Sequence, residues 1–118
     1  MTDLGITLSQ QSELNLFAGS FPRVEVPIVI VTGAGVLVKG TVLGKITGTV
    51  TYDAYSNADN TGLEVARLIL AEDVDATNQA VNTTGFASGE FNEDALTGLD
   101  DAAKVDFEGT PIFIKKIY

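Results

Sequence analysis

The strongest constraint on the fold is a period-two pattern that begins shortly after Phe21. Its repeated apolar positions are Val24, Val26, Ile28 and Ile30. Successive side chains of a strand point to opposite faces of a sheet, so this period predicts a β-strand rather than a helix. Pro27 lies within the pattern and lacks the N–H that a sheet ladder needs. The strand is therefore expected at a sheet edge or at a bulge.

Glycines punctuate the segment that follows. Residues 33–35 read Gly-Ala-Gly and predict a turn, and Gly40, Gly44 and Gly48 then recur within a run rich in Val, Leu, Ile and Thr. Regular glycines among β-branched residues are typical of short strands with bends, which small barrels and sandwiches need at their corners. Residues 53–62 are polar and predict a loop.

The next part of the chain mixes helical and extended signals. Residues 63–70 fit either a short helix or a buried strand, because they are nearly all apolar but include helix-favouring Glu, Ala and Arg. Residues 71–78 predict an acidic turn. Residues 81–91 predict a strand or a hairpin that contains Gly85 and Gly89.

The C-terminal part predicts short helices followed by a strand. Asn92 is a favourable N-cap for a short helix through Leu96, and a second helical turn is expected around residues 100–105. A turn at residues 109–111 then leads into a last strand at residues 112–117. The predicted fold class is mainly β, a small barrel-like domain with one or two short helices.

The charge balance and the missing residue types restrict the chemistry. The 118 residues include 16 acidic and 7 basic side chains, for a net charge of −9, and no His, Cys or Trp. This length fits one domain. Without His or Cys the chain cannot form a Ser-His-Asp triad, a thiolate nucleophile or a Cys-bound metal. We therefore expect neither an enzyme nor a cofactor, and the acidity makes nucleic acid and anionic membranes unexpected partners.

Incomplete motif fragments weaken any ligand-binding interpretation. The strand before Gly33 and Gly35 resembles the start of a dinucleotide-binding unit, but strand-like residues follow where a helix is required. Residues 57–62 match the first half of an EF-hand-like calcium loop, but Leu68 stands where a bidentate Glu is required. The acidic residues 72–75 could chelate a cation, although such charge runs are usually solvated. We predict no metal site.

The first 20 residues are mostly polar, and we interpret them as an N-terminal arm on a domain at residues 21–118. The apolar residues of the arm are Leu4, Ile6, Leu8, Leu14, Leu16 and Phe17. The first three alternate, which suits a segment that becomes a strand when a partner offers a sheet edge. The alternative is a frayed terminus without a role. No secretory signal is predicted, because the sequence begins with neither a basic segment nor a long apolar run.

Several pieces of the sequence together resemble a known family. They are residues 15–22 (Asn-Leu-Phe-Ala-Gly-Ser-Phe-Pro), 40–47 (Gly-Thr-Val-Leu-Gly-Lys-Ile-Thr) with Tyr52, 62–70 (Gly-Leu-Glu-Val-Ala-Arg-Leu-Ile-Leu), 72–77 (Glu-Asp-Val-Asp-Ala-Thr) and 89–96 (Gly-Glu-Phe-Asn-Glu-Asp-Ala-Leu). In this order and spacing they resemble the lambda-type head decoration proteins of tailed bacteriophages. The resemblance covers about residues 15–118.

The resemblance implies a compact β domain, often called a β-tulip, that assembles as a homotrimer. Such trimers bind the outer surface of an expanded capsid at three-fold positions, contact the major capsid protein and stabilise the shell against the pressure of packaged DNA. The resemblance also implies an arm that is mobile in the free protein and adds a strand to the capsid, and a strand at residues 63–70. It places the protein in the virion, and in the host cytoplasm during assembly.

Two hypotheses on contacts remain open. For the subunit interface our candidates are Ile112, Ile114 and Ile117, with the core of the domain itself as the alternative location for them. For function, the alternative is a small β-sandwich or barrel module of a tail fibre or host factor that binds a carbohydrate or peptide. Sugar sites usually present a flat aromatic face, which Tyr52, Tyr55 and Phe86 would have to supply in a chain without Trp.

Overall fold

The computed structural model describes residues 16–116. Within that range the chain forms eight strands, one 3₁₀ helix and one α-helix. In chain order these are β1 (Val24–Ile30), β2 (Gly35–Leu37), β3 (Val42–Lys45), β4 (Thr51–Ala54), β5 (Leu68–Leu70), β6 (Val74–Ala76), β7 (Val81–Asn92), the 3₁₀ helix (Glu93–Ala95), α1 (Asp101–Phe107) and β8 (Ile112–Lys115). The predicted mainly β class, with two short helical elements, is confirmed.

The sheet closes on itself. Strands β1, β4, β3, β5 and β7 are hydrogen-bonded neighbours in that order, and β7 pairs back with β1. The longest strand, β7, is antiparallel to β1 and β5, and its last four residues run parallel to β8. Strands β2 and β6 form a separate antiparallel pair. Closure leaves the ring without a continuous open edge. Strand β8 pairs with β7 alone and lies outside the ring.

Pro27 lies where β1 has β7 as its only described neighbour. The Val31 N–H donates to the Tyr52 carbonyl at 3.0 Å, so alternate backbone groups of β1, including those of Pro27, face the β4 side. Because β4 pairs with β1 only at Val29 and Ile30, the missing N–H interrupts no ladder bond. The predicted edge strand or bulge at Pro27 is wrong for β1 as a whole, because β1 pairs with both β4 and β7 and its register shift with β7 lies at Val24/Glu25.

Two apolar clusters fill the domain. The first joins the ring to the β2–β6 pair and contains Ile28, Ile30, Leu37, Leu43, Leu68, Leu70, Val74 and Ala76. The second joins the ring to α1 and β8 and contains Leu16, Val42, Tyr55, Ala66, Ile69, Phe86, Phe91, Ala103, Phe107 and Ile112. Strand β5 has one cluster on each face, which explains its continuous apolar sequence.

The regular glycines have two different roles. Gly40 and Gly48 have φ values of 91° and 80° and form the predicted bends on either side of β3. Gly44 lies inside β3, where an added Cβ would come within 2.8 Å of Leu63 Cα. Its role is therefore to allow close packing of the 63–67 loop rather than to bend the strand.

Both predicted helix starts are confirmed by their caps. The Asn92 side chain accepts the Asp94 N–H at 3.1 Å at the start of the 3₁₀ helix. The Asp100 carboxylate accepts the Ala103 N–H at 2.8 Å at the start of α1. No helix within the described range is long and apolar enough to cross a membrane.

Three local predictions need correction. The acidic segment 71–78 is not simply a turn, because it contains β6, whose partner β2 is distant in sequence. Within residues 63–70 only Leu68–Leu70 form a strand, and the preceding residues form a loop. The loop predicted from residue 53 begins after Ala54, because β4 pairs with β3 through that residue. In the first two cases the strand partners are distant in sequence, whereas β3 and β4 are consecutive strands.

Candidate interaction surface

The segment of residues 16–23, here called the lead-in, joins the sheet before β1 begins. The Leu16 carbonyl accepts the Asn92 N–H at 2.9 Å, and the Ala18 N–H donates to the Glu90 carbonyl at 2.8 Å. Gly89, the residue before Glu90, donates its N–H in the opposite direction, to the carbonyl of Pro111 beside β8, at 3.0 Å. Alternate residues of β7 therefore bond to β8 and to the lead-in, which lie on its opposite edges.

Aromatic packing holds the lead-in in place. The Phe17 ring lies 5.4 Å from that of Phe86, edge to face, and 5.5 Å from that of Phe91. The Arg23 guanidinium carbon lies 4.0 Å from the Phe17 ring centroid. Leu16 is only 5% exposed. Leu16 and Phe17 of the lead-in therefore pack with the hydrophobic core, whereas residues 19–23 are exposed.

These positions narrow the set of arm residues. Leu16 and Phe17, both predicted to contact the capsid, pack inside the domain. The other predicted arm residues, Leu4, Ile6, Leu8 and Leu14, lie outside the described residues. A capsid-binding role for all six stays a prediction.

Glu90 links the lead-in to β8. Its Oε1 accepts the Phe21 N–H at 2.8 Å, and its Oε2 pairs with Lys115 Nζ. The Lys115 ammonium and then the Phe21 N–H hold the pKa of the Glu90 carboxyl below its usual value. Gly19 lies against this carboxylate, and an added Cβ there would displace the end of the Glu90 side chain. Sequence reasoning did not find Glu90, since no local pattern relates it to Lys115.

Two exposed aromatic rings lie beside this link. Phe21 and Phe113 are 37% and 42% exposed, and their rings meet edge to face with centroids 4.9 Å apart. Phe113 pairs in register with Glu90 on β7. This apolar spot adjoins the ion pair, so the surface around β8 combines aromatic and charged groups, as protein-binding surfaces often do.

A groove of about 350 Å³ lies between α1 and β8. Its lining includes Lys104, Phe107, Ile112, Ile114 and Lys115. Ile112 is 3% exposed and belongs to the second core cluster, against which Ile114 also packs. Ile112 and Ile114 therefore pack in or against the core of the domain, which was the alternative location considered for them. Ile117 lies outside the described residues. Their role in a subunit interface stays a prediction.

The acidic turns are organised by their own neighbours. Asp59 Oδ1 accepts the Thr61 N–H at 2.9 Å and the Thr61 hydroxyl at 2.7 Å, and these bonds lower the pKa of Asp59. Asp75 is held in the same way by Thr77, which lowers its pKa. Within residues 16–116 no group of three acidic side chains is arranged to hold a metal ion.

The aromatic residues considered for sugar binding do not form an exposed platform. Tyr55 and Phe86 are 7% and 6% exposed, and both belong to the second core cluster. Tyr52 is half-buried against the first cluster. These three residues therefore do not form a flat exposed aromatic face. The suggestion that they could supply the sugar-binding face of a carbohydrate-binding module is wrong.

The fold and surface define a class of protein. A small closed barrel with a fixed N-terminal lead-in, an extra outer strand and exposed aromatic rings is suited to binding other proteins. The family model of the bacteriophage lambda head decoration protein D matches residues 9–108, so the chain belongs to this family. No curated protein matches the chain.

Membership in the family defines the role at a coarse level. The protein is a structural component that decorates the head of a bacteriophage, and its location is the capsid of the virion. The family is one of structural proteins rather than of enzymes. The resemblance noted from the sequence is thereby confirmed.

Proposed function

We propose that the protein binds the outer surface of an expanded capsid as a homotrimer at three-fold positions, and that it stabilises the shell against internal DNA pressure. Before it binds the head it is in the host cytoplasm. Its direct partner is the major capsid protein. The family match supports the decorating role from which this proposal starts.

The pairing of the lead-in with β7 is the observation that carries the binding mechanism. Leu16 is bonded to Asn92 and buried, so the described domain begins at a fixed position that residues 1–15 precede. We therefore take the arm to be residues 1–15, shorter than the 20 residues inferred from composition. The alternating Leu4, Ile6 and Leu8 would place three apolar side chains on one face of a strand added to the capsid.

Three arms make the binding strong although each arm is short. Ordering a free segment opposes association, so one arm alone would bind weakly. Once one arm of a trimer is bound, the other two are held at high effective concentration near equivalent sites. The net charge of −9 on each chain would keep free trimers apart and away from DNA.

Co-sedimentation with expanded, undecorated heads of a phage that carries the protein tests this proposal. The full chain should sediment with the heads, and a variant lacking residues 1–15 should remain in the supernatant. Light scattering should give each protein a mass near three times that of its own chain, which is 12.4 kDa for the full chain and less for the truncated variant. Sedimentation of the truncated variant at the level of the full chain would contradict the arm mechanism, and monomers at all concentrations would contradict a preformed trimer.

A matched pair of arm variants separates side-chain recognition from arm length. The triple substitution Leu4→Ser, Ile6→Ser and Leu8→Ser removes the apolar face. The triple substitution Ser9→Ala, Gln10→Ala and Gln11→Ala changes as many residues of the same arm. We expect the first to weaken head binding at least tenfold and the second to leave it within about twofold. Equal effects would show that the alternating positions have no special role.

A further inference from the structure

Two aromatic rings form an exposed patch on the surface of the domain. Phe21 comes from the lead-in and Phe113 from β8, and their rings meet edge to face with centroids 4.9 Å apart. The Phe21 N–H donates to Glu90 Oε1 at 2.8 Å, and Phe113 pairs in register with Glu90, so one residue of β7 locates both rings. We call this pair the aromatic patch. Adjoining exposed aromatic side chains are typical of protein-binding surfaces.

The two rings need little ordering before they bind a partner. Each ring restricts the other, and the Glu90 carboxylate that positions Phe21 is itself paired with Lys115 Nζ. Aromatic side chains have few rotatable bonds, so they provide a large contact area for a small loss of conformational entropy. The patch is therefore suited to rigid packing against another protein.

The patch lies close to both ends of the described chain. Leu16 bonds to Asn92 on one edge of β7, and Lys115 pairs with Asn92 on the opposite edge. Phe113 lies about 12 Å from Leu16, because β7 separates the two and Glu90 comes shortly before Asn92. A partner that holds residues 1–15 near Leu16 therefore has the patch within its reach.

The charge near the patch is opposite in sign to that of the whole chain. Residues 16–23 and 111–116 contain three of the seven basic residues, Arg23, Lys115 and Lys116, and none of the 16 acidic ones. Glu90, the acidic neighbour from β7, is already paired with Lys115. A partner surface that complements this region presents apolar side chains bordered by carboxylates.

We propose that the aromatic patch is a second contact with the major capsid protein, in addition to the arm. Its counterpart there is an apolar surface with carboxylates at its border. The inference rests on the proposed function, because binding of the arm brings the capsid protein beside Leu16. The rings are already in place, so the patch fixes the orientation of the domain on the shell at little entropic cost.

Co-sedimentation of full-length variants with expanded, undecorated heads tests the inference. Phe113→Ser should weaken head binding at least about tenfold, because an aromatic contact is lost. Phe113→Tyr keeps the ring and should bind within about threefold of the full chain. Val50→Ser is the control, because Val50 is 72% exposed and lies at the opposite end of β1, next to the Thr51 that pairs with Val29. This control should bind within about twofold of the full chain.

Two further measurements identify the partner and its charge. The photoreactive residue p-benzoylphenylalanine in place of Phe113 should crosslink to the major capsid protein in decorated heads, and in place of Val50 it should not. Lys116→Glu should weaken head binding at least about threefold, because it would face carboxylates. Lys39→Glu makes the same charge change at an exposed residue after β2 and should bind within about twofold of the full chain.

The opposite results would overturn the inference. Binding of Phe113→Ser at the level of the full chain would do so and would leave the arm mechanism intact. Crosslinks only between copies of this protein, or a lower light-scattering mass for Phe113→Ser, would show that a second copy covers the patch. Equal effects of Lys116→Glu and Lys39→Glu would show that no carboxylates face the patch. A full chain that does not sediment with heads would contradict the proposed function as well, so the two failures are distinguishable.

Discussion

Tyr55 donates its hydroxyl hydrogen to Asp100 Oδ1 at 2.8 Å, and the same oxygen accepts the Ala103 N–H at 2.8 Å. The N-cap of α1 is thus tied to the loop that follows β4. Tyr55 is buried in the cluster that joins the ring to α1. Burial and then the bond to Asp100 raise the pKa of Tyr55 to about 12. The neutral hydroxyl is therefore a structural link between the helix and the barrel.

This link predicts a loss of stability at alkaline pH. The folded pKa of about 12 lies above the usual value of 10.0, so the stabilisation is complete below pH 10 and is lost as the pH rises through 12. Tyr55→Phe should lower the free energy of unfolding by about 1 kcal/mol at pH 7. The stability gap between the two proteins should narrow between pH 10 and 12. Denaturant unfolding at several pH values measures this, with Tyr52→Phe as the control. A gap that stays constant, or that narrows equally for Tyr52→Phe, would contradict the prediction.

The link from Glu90 to Lys115 predicts a different response at acidic pH. The pKa of Glu90 is lowered from the usual 4.5, so its contribution is present above that value and is lost as the pH falls through the folded pKa. Glu90→Gln should lower the melting temperature at pH 7, and the difference from wild type should shrink below pH 4.5. Glu108→Gln, which removes an equal charge at the end of α1, should change the melting temperature little at either pH. If the two variants behaved alike, the link would have no specific effect.

Gly44 predicts a steric cost inside β3. An alanine Cβ there would lie 2.8 Å from Leu63 Cα and 3.0 Å from the Leu63 carbonyl oxygen, both backbone atoms that cannot rotate away. Gly44→Ala should lower the free energy of unfolding by about 2–3 kcal/mol. Gly85→Ala in β7 is the matched control, because its nearest contacts are side-chain methyl groups at 3.2 and 3.3 Å. Urea unfolding of both variants checks the order, and a larger loss for Gly85→Ala would contradict it.

Because Leu16 and Phe17 pack in the domain, deletions of residues 1–15 and 1–20 should have very different effects on the free energy of unfolding. Removing residues 1–15 keeps Leu16 and Phe17, so the free energy of unfolding should change by no more than about 1 kcal/mol. Removing residues 1–20 takes both side chains out of the second cluster and should cost at least about 3 kcal/mol. Phe17→Ala in the full chain should reproduce a large part of that loss. Similar melting temperatures for the two deletions would show that the lead-in does not stabilise the barrel.

Elements whose signals are local could be predicted from the amino-acid sequence. The period of two at Val24–Ile30 specifies a strand, because side chains on a pleated chain must alternate. Asn92 and Asp100 specify helix starts, because each side chain satisfies an N–H only two or three residues away. The missing His and Cys restricted the chemistry before any fold was known. The family was also visible in the order of several short sequence pieces.

Features that depend on which distant residues meet became visible only in the folded chain. Strand β6 exists because β2 pairs with it, and residues 68–70 are extended because β3 and β7 lie on either side. Leu16 and Phe17 looked like arm residues by composition, but the aromatic rings of β7 draw them into the core. Glu90 gained its role only when the parallel pairing of β7 and β8 brought Lys115 beside it. Strand pairing and burial are nonlocal, so the local sequence does not encode their partners.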